Sequence, residues 1–358
     1  MQQFFPFPCG NIGFNFATLY YLGYNDYKRK QQVQQDSPGE CIITLKAIAS
    51  KQILFFPKGI IMIDLTKLTT EQRNPKTTAI DEASALEIVK LINAEDQTVP
   101  KAVKKILPDI SRAIIIIANH LSHGGRLFYI GSGTSGRLGI LDAAECPPTY
   151  STPPELVQGI IAGGTPAIFR AQEGAEDSEA AGAEDLEKQK LTNLDVVVGL
   201  SASGRTPYVI GALKYARQTG AYTIAVTCTE NPETAATADL SLTAVTGPEV
   251  VTGSTRMKAG TAQKLILNML STGSMILMGK VYGNLMVDLQ CTNNKLKARA
   301  RRIVTEATGC DSETADKLLK ESRGAVKPAI LMQLAGMDYE TAVKKLKDNQ
   351  GHLKQALK

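Results

Sequence analysis

The chain is poor in the residues that build metal centres and disulfide frameworks. Histidine occurs three times in 358 residues, at positions 120, 123 and 352. His120 and His123 have the spacing of one helix face, but no third ligand lies close in sequence, so no metal site is expected. The six cysteines (Cys9, Cys41, Cys146, Cys228, Cys291 and Cys310) are scattered without a C-x-x-C pair. That excludes a zinc ribbon and reads as the reduced thiols of a cytoplasmic protein. Neither sign of charge dominates, since 40 Lys and Arg against 35 Asp and Glu leave +5. Such a balance points to neither nucleic acid nor a membrane surface as partner. There is no run of about 18 apolar residues that would span a bilayer. No basic segment followed by an apolar one and a cleavage site marks a signal peptide.

Residues 1–61 differ in character from the rest of the chain. They hold seven of the nine Phe, four of the eleven Tyr, and six Lys or Arg against three Asp or Glu. Apolar and polar residues alternate there without a sustained period. Lys58-Gly59 is encoded by a purine-rich stretch, and two codons separate it from Met62. That is the layout of a bacterial ribosome-binding site. The expectation is that Met62 is the true start and that 1–61 is a translated leader, poorly ordered.

Organisation begins at residues 126–150. Leu127 to Ile130 is an apolar run of strand length, followed by a turn made only of Gly, Ser and Thr, Gly131 to Gly136, and a helix-like segment from Arg137. A strand, a Gly-rich turn and a helix N-terminus form an anion site, because backbone N–H groups and the helix dipole both favour negative charge. Gly131-x-Gly133-x-x-Gly136 also matches the dinucleotide fingerprint, but the next apolar run, Leu156 to Ala162, ends in Gly163-Gly164 with no acidic residue to hold a ribose. The hydroxyls of Ser132, Thr134 and Ser135 suit a terminal phosphate better than a buried pyrophosphate. Glu145 follows on the same segment, just before Pro147-Pro148, which reads as a helix stop.

A second turn repeats the pattern. Asp195 to Leu200 is a strand with the continuous apolar run of a parallel sheet, and Ser201-Ala202-Ser203-Gly204-Arg205-Thr206-Pro207 leads from it into a helix over 208–219. Two hydroxyl-rich strand-to-helix turns on one sheet can converge on one phosphate. Between them, Glu173 to Asp185 is rich in carboxylates. Glu176 is a candidate there if the short helix over 166–172 returns the chain to the C-terminal side of the sheet. The third stretch runs from Gly247 to Lys258 and opens a long helix over 259–281. Ser254 and Thr255 are N-cap types, while Arg256 and Lys258 place positive charge where the helix dipole disfavours it, which suggests an anion nearby.

Strands near 126–130, 156–162, 194–200, 222–227 and 239–243, with helices between, make an α/β doubly wound, mostly parallel sheet with helices on both faces. Ahead of it, residues 79–93 carry Leu86, Ile88, Val89 and Ile92 at helical spacing, and 99–121 reads as one helix. Beyond Asn293, a basic helical stretch and segments punctuated by Gly309, Gly324, Pro328, Gly336 and Gly351 suggest a small three-helix subdomain.

Taken together, GTSGRLGILDAAECPPTY, EGAED, GLSASGRTPYV and EVVTGSTRMKAGTAQKLILNMLSTG, in this order, resemble the N-acetylmuramic acid 6-phosphate etherase family. The resemblance covers about residue 65 to the C-terminus. It implies an N-terminal arm and helices over 62–116, a sugar isomerase (SIS) domain over 117–280, and a helical region over 281–358 with its subdomain from about 304. It further implies a lyase that splits the D-lactyl ether of N-acetylmuramic acid 6-phosphate into N-acetylglucosamine 6-phosphate and D-lactate, without metal or coenzyme, as a homodimer with sites completed across the interface. Such an enzyme serves peptidoglycan recycling or muramate catabolism. On this resemblance Glu145 is the acid and Glu176 the base. Gly133, Thr134, Ser135, Ser201, Ser203, Gly204 and Thr206 hold the phosphate, and Arg137, Glu249, Ser254, Arg256 and Lys258 are further substrate-site candidates. The alternatives on the same fold are a phosphosugar isomerase and a sugar-phosphate-binding regulator.

Overall fold

The computed structural model describes residues 68–289 and 294–358. By contacts the chain divides into Met1–Ile63 and Asp64–Lys358. The expected leader over 1–61 and the Met62 start lie outside the described residues.

The second unit opens with helices α1 (Ala85–Asp96), α2 (Val99–Lys104) and α3 (Leu107–Ser122). The alternating core follows: β1 (Leu127–Gly131), α4 (Gly133–Tyr150), β2 (Val157–Ile161), α5 (Gly164–Phe169), α6 (Glu179–Glu187), β3 (Val196–Leu200), α7 (Pro207–Gln218), β4 (Tyr222–Thr227), β5 (Leu240–Thr243) and α8 (Lys258–Leu277). All pairings are parallel and the strand order is β2-β1-β3-β4-β5. The five strands fall where their apolar runs place them.

Strand side chains alternate between two cores. Leu127, Tyr129, Val196 and Val198 pack with α3, α4 and α8, while Phe128, Ile130 and Val197 pack with α6 and α7. Leu127, Phe128, Tyr129 and Ile130 are fully buried, and the Leu, Phe and Ile side chains are each worth roughly 1.5–3 kcal/mol. Helices α6 and α7 touch backbone to backbone. A Cβ at Gly182 would lie 1.9 Å from the Tyr208 carbonyl oxygen, and one at Gly211 would lie 2.0 Å from that of Glu179. Only glycine fits at either place.

Three local expectations need correction, and proline explains two of them. The stretch over 99–121 is two helices, because Pro108 in the first turn of α3 has no N–H to continue from α2. Pro147 and Pro148 do not stop α4, which runs on to Tyr150 and ends at Ser151 in the left-handed region (φ 51°). Two missing N–H groups in the last turn are tolerated there because Cys146 and Tyr150 are buried and hold that turn against the core. On α1, Leu86 and Val89 do not face inward; they are 61% and 57% exposed.

The C-terminal region has five helices: α9 (Asn294–Thr308), α10 (Ser312–Glu321), α11 (Val326–Ala335), α12 (Tyr339–Asp348) and α13 (Leu353–Ala356). They share a core centred on Val326, Ala329, Ile330, Leu331 and Met332 of α11. Pro328 sits in the first turn of α11, where a missing N–H costs nothing. Buried around its circumference, α11 shows no amphipathic period, so spacing alone yields too few helices. The linker Val287–Leu289 joins this core to α4. Ser151 Oγ donates to the Asp288 carbonyl, and the Asp288 carboxylate meets Lys327 Nζ at 2.7 Å and Lys280 Nζ at 3.3 Å.

Candidate active site

Helices α4, α7 and α8 begin at the C-terminal side of the sheet near these candidates, and each leaves backbone N–H groups to be satisfied. At α8 the buried Glu249 does this, with its two oxygens accepting from the Lys258 and Ala259 amides at 2.9 Å each. At α7, Pro207 lacks an N–H and the Tyr208 amide donates to the Glu176 carbonyl at 3.0 Å. At α4 there is no such cap. Ser132 occupies the N-cap position, but its side chain makes no capping bond. The amides of Gly133, Thr134 and Ser135 are therefore open to an anion. Gly133 has φ +50° and no atom within 4 Å of where a Cβ would lie, so a ligand can approach its backbone.

A cleft open to solvent faces this helix end, lined by Ser132, Gly133, Arg137, Gln172, Glu173 and Glu176. Glu176 is exposed at its edge, and its Oε2 accepts from Ser132 Oγ at 2.8 Å. The Tyr208 amide fixes its backbone and Ser132 aims its side chain. The chain does return Glu176 to the C-terminal side of the sheet. Sequence alone gives Ser132 as a hydroxyl of the turn suited to phosphate; its pairing with Glu176, 44 positions on, leaves no local signal.

The other candidates divide. Ser201 Oγ lies 2.8 Å from Thr206 Oγ1 and 3.5 Å from Ser203 Oγ, so these hydroxyls form one cluster in the β3–α7 turn. Gly204 closes that turn, its amide donating to the Ser201 carbonyl at 3.1 Å. Thr134 is half-buried and packs towards Gly260 at the start of α8. Ser135 is buried, and its Oγ donates to Gln263 Oε1 at 2.9 Å. Arg137 lines the cleft but donates to the carbonyls of Ile168 (2.9 Å) and Ala167 (2.7 Å), pinning the end of α5 as a wall. Ser254 is half-buried and Arg256 exposed in the turn before α8. Glu145 is exposed on α4, twelve residues past Gly133, hence about 18 Å along the helix from the open amides. One chain thus brings Glu176 to the α4 N-terminus and leaves Glu145 well away from it.

Lys258 does not reach towards the cleft. The residue is 2% exposed, and its Nζ sits 2.7 Å from Glu95 Oε2. Glu95 also accepts from Asn74 Nδ2 and Lys76 Nζ, both at 2.9 Å. With Thr77 Oγ1 donating to the Val250 carbonyl at 2.9 Å, this network ties the N-terminal arm and α1 to the loop before α8. Burial raises the Glu95 pKa, but the hydrogen bonds from Lys258, Lys76 and Asn74 outweigh it and hold the carboxyl at about 2 against an ordinary 4.5. A folded pKa below the unfolded one stabilises the fold above pH 4.5, and that stability drains away as pH falls towards 2. Glu249 has the opposite sign, since burial raises its pKa despite the two amides. Lys258→Met leaves a buried carboxylate short of its closest cation. It is expected to destabilise the protein by about 3 kcal/mol and to move the onset of acid unfolding upward. Denaturant titrations between neutral pH and pH 3 check this; an unchanged midpoint and onset would contradict it.

Among the described residues, no group of three or more His, Cys, Asp or Glu is placed to hold a metal ion. His120 Nδ1 pairs with the Leu194 carbonyl at 2.7 Å, and His123 Nδ1 with that of Asn119 at 2.8 Å. Among the described residues no helix is long and apolar enough to cross a membrane.

Comparison with known proteins agrees with this fold. Residues 168–273 match the SIS domain, and residues 109–217 match the glucokinase regulatory protein N-terminal SIS domain. The chain is 60% identical over 272 residues to N-acetylmuramic acid 6-phosphate etherase of Clostridium beijerinckii, covering 76% of this chain and 90% of that one. It is 56% identical over 268 residues to N-acetylmuramic acid 6-phosphate etherase 1 of Bacillus licheniformis, covering 75% and 88%. With the protein of the same name from Symbiobacterium thermophilum it shares 56% over 272 residues, covering 76% and 90%. At such identity over nearly the whole of its relatives, the chain belongs to the N-acetylmuramic acid 6-phosphate etherase family.

Proposed function

We propose that this protein is a carbon–oxygen lyase that cleaves the D-lactyl ether of N-acetylmuramic acid 6-phosphate. The observation that carries the reading is the Glu176 carboxylate, held by Ser132 at the uncapped N-terminus of α4. A base beside a phosphate cradle is what the reaction requires. The amides of Gly133, Thr134 and Ser135 and the hydroxyl cluster of Ser201, Ser203 and Thr206 receive the phosphate. With the sugar open to its aldehyde, the C2 proton is acidified by the carbonyl. Glu176 takes it, giving an enolate. The C3–O bond then breaks, and the departing lactate oxygen takes a proton from Glu145. Water adds to the C2–C3 double bond of the unsaturated aldehyde, its oxygen to C3 and a proton to C2. N-acetylglucosamine 6-phosphate results, and every step is a proton transfer, elimination or addition that calls for no metal or coenzyme.

Glu145 lies too far along α4 to serve the cleft of its own chain, so this reading places it in the cleft of a second copy. The protein acts as a homodimer, and the exposed Leu86 and Val89 of α1 and Leu141 of α4 offer apolar surface for that contact. The role is in peptidoglycan recycling or amino-sugar catabolism, in the cytoplasm. The test is D-lactate release from N-acetylmuramic acid 6-phosphate by the purified protein, with N-acetylglucosamine 6-phosphate formed in equal amount. Tight binding without lactate would indicate a regulator, and a ketose phosphate product an isomerase.

A further inference from the structure

Gln263 lies in the second turn of α8 and is 1% exposed. Its Oε1 accepts from Ser135 Oγ at 2.9 Å, while its Nε2 is buried without a hydrogen-bond partner. A buried amide donor without an acceptor is costly, and it lies beside the α4 N-terminus, where the Ser132 side chain makes no capping bond. Ser135 has a single hydroxyl proton. Directed at Gln263, that proton is lost to any phosphate, which would meet only the oxygen lone pairs. The two ends of a glutamine amide are nearly the same size, so a half-turn of the group changes the hydrogen bonds and little else. After that turn Nε2 donates to Ser135 Oγ, the orphan donor is satisfied, and the serine proton is free to point outward.

We propose that Gln263 is a positioning residue of the phosphate site: its amide donates to Ser135 Oγ and thereby commits the Ser135 proton to the substrate phosphate. The inference rests on reading the α4 N-terminus as the phosphate cradle, but not on the lactyl elimination. Ser135 is itself buried, so solvent is poorly placed to replace the link. Nothing near Ser135 in sequence reveals the pairing, which joins residues 128 positions apart.

The test is calorimetric titration of the full chain with N-acetylglucosamine 6-phosphate. Ser135→Ala and Gln263→Met are each expected to weaken binding roughly tenfold, as for a hydrogen bond to a charged group. The double variant should bind no more weakly than Ser135→Ala alone, because the glutamine acts through the serine. Gln263→Glu keeps the size but presents only acceptors, so it holds the serine proton inward and should bind more weakly than Gln263→Met. In turnover, Gln263→Met raises KM and leaves kcat unchanged. Additive losses, or Gln263→Glu binding like wild type, overturn the proposal. Melting temperatures in the absence of ligand separate loss of fold from loss of contact. A wild-type protein that binds this phosphosugar yet releases no lactate leaves the Gln263 proposal standing and removes the reaction; one that does not bind it removes both.

Discussion

Glu176→Gln is expected to stop exchange of the C2 proton of N-acetylglucosamine 6-phosphate with deuterated solvent, and lactate release with it, by about 10²–10⁴-fold. The substitution is nearly isosteric. Its amide oxygen can still accept from Ser132 Oγ, and its backbone carbonyl still receives the Tyr208 amide, so the loop keeps its place at the cleft. What it loses is the ability to take a proton. Phosphosugar binding should therefore survive, and the loss should fall on kcat. Proton NMR of the C2 signal in D2O reads the step directly, without waiting for lactate. Undiminished exchange in the variant would identify a different base.

Glu145→Ala is expected to cost lactate release on a similar scale while leaving C2 exchange intact. The base is untouched, so the enolate forms and returns; only the departing oxygen lacks its proton. The separation of the two readouts distinguishes an acid from a structural residue, since general damage to the fold would lower both. Distance along α4 adds a second arm. If Glu145 serves the cleft of the other copy, mixing inactive Glu145→Ala with inactive Glu176→Gln gives heterodimers in which one of two sites has both groups intact. Activity returns on mixing. If both groups act within one chain, every site in the mixture lacks one of them and no activity returns.

Much of this architecture was legible because buried parallel strands read as unbroken apolar runs. Leu127 to Ile130 and Val196 to Leu200 announce themselves, and the Ser/Thr/Gly turns after them could only sit at strand ends. Local chemistry misled where tertiary packing decides. Pro147 and Pro148 lie inside α4 because Cys146 and Tyr150 are buried beneath them, and α11 hides its helical period by being apolar all round. Leu86 and Val89 show the spacing of a buried stripe on a helix face that a single chain leaves open.

The site was legible as motifs and not as contacts. Glu176 was a conditional candidate, because no spacing rule says that the carboxylate-rich stretch comes back to the sheet; the Tyr208 amide brings it there. Lys258 reads as a cation for an anion because it stands at a helix start, and Glu249, in the loop before it, as a substrate-site candidate. The side chain that answers Lys258 is Glu95, 163 positions earlier, and Glu249 closes its own helix nine residues on. Pairings of that range leave no trace in local sequence.

The central claim, elimination followed by addition of water, is tested most directly by running the reaction on N-acetylmuramic acid 6-phosphate in ¹⁸O-water and locating the label by mass spectrometry. Loss of lactate from C3 and return of water to C3 predict ¹⁸O on the aminosugar and none gained at the lactate hydroxyl. Label on the lactate hydroxyl, with an unlabelled sugar, would mean attack at the lactyl carbon and would contradict the roles given to both glutamates.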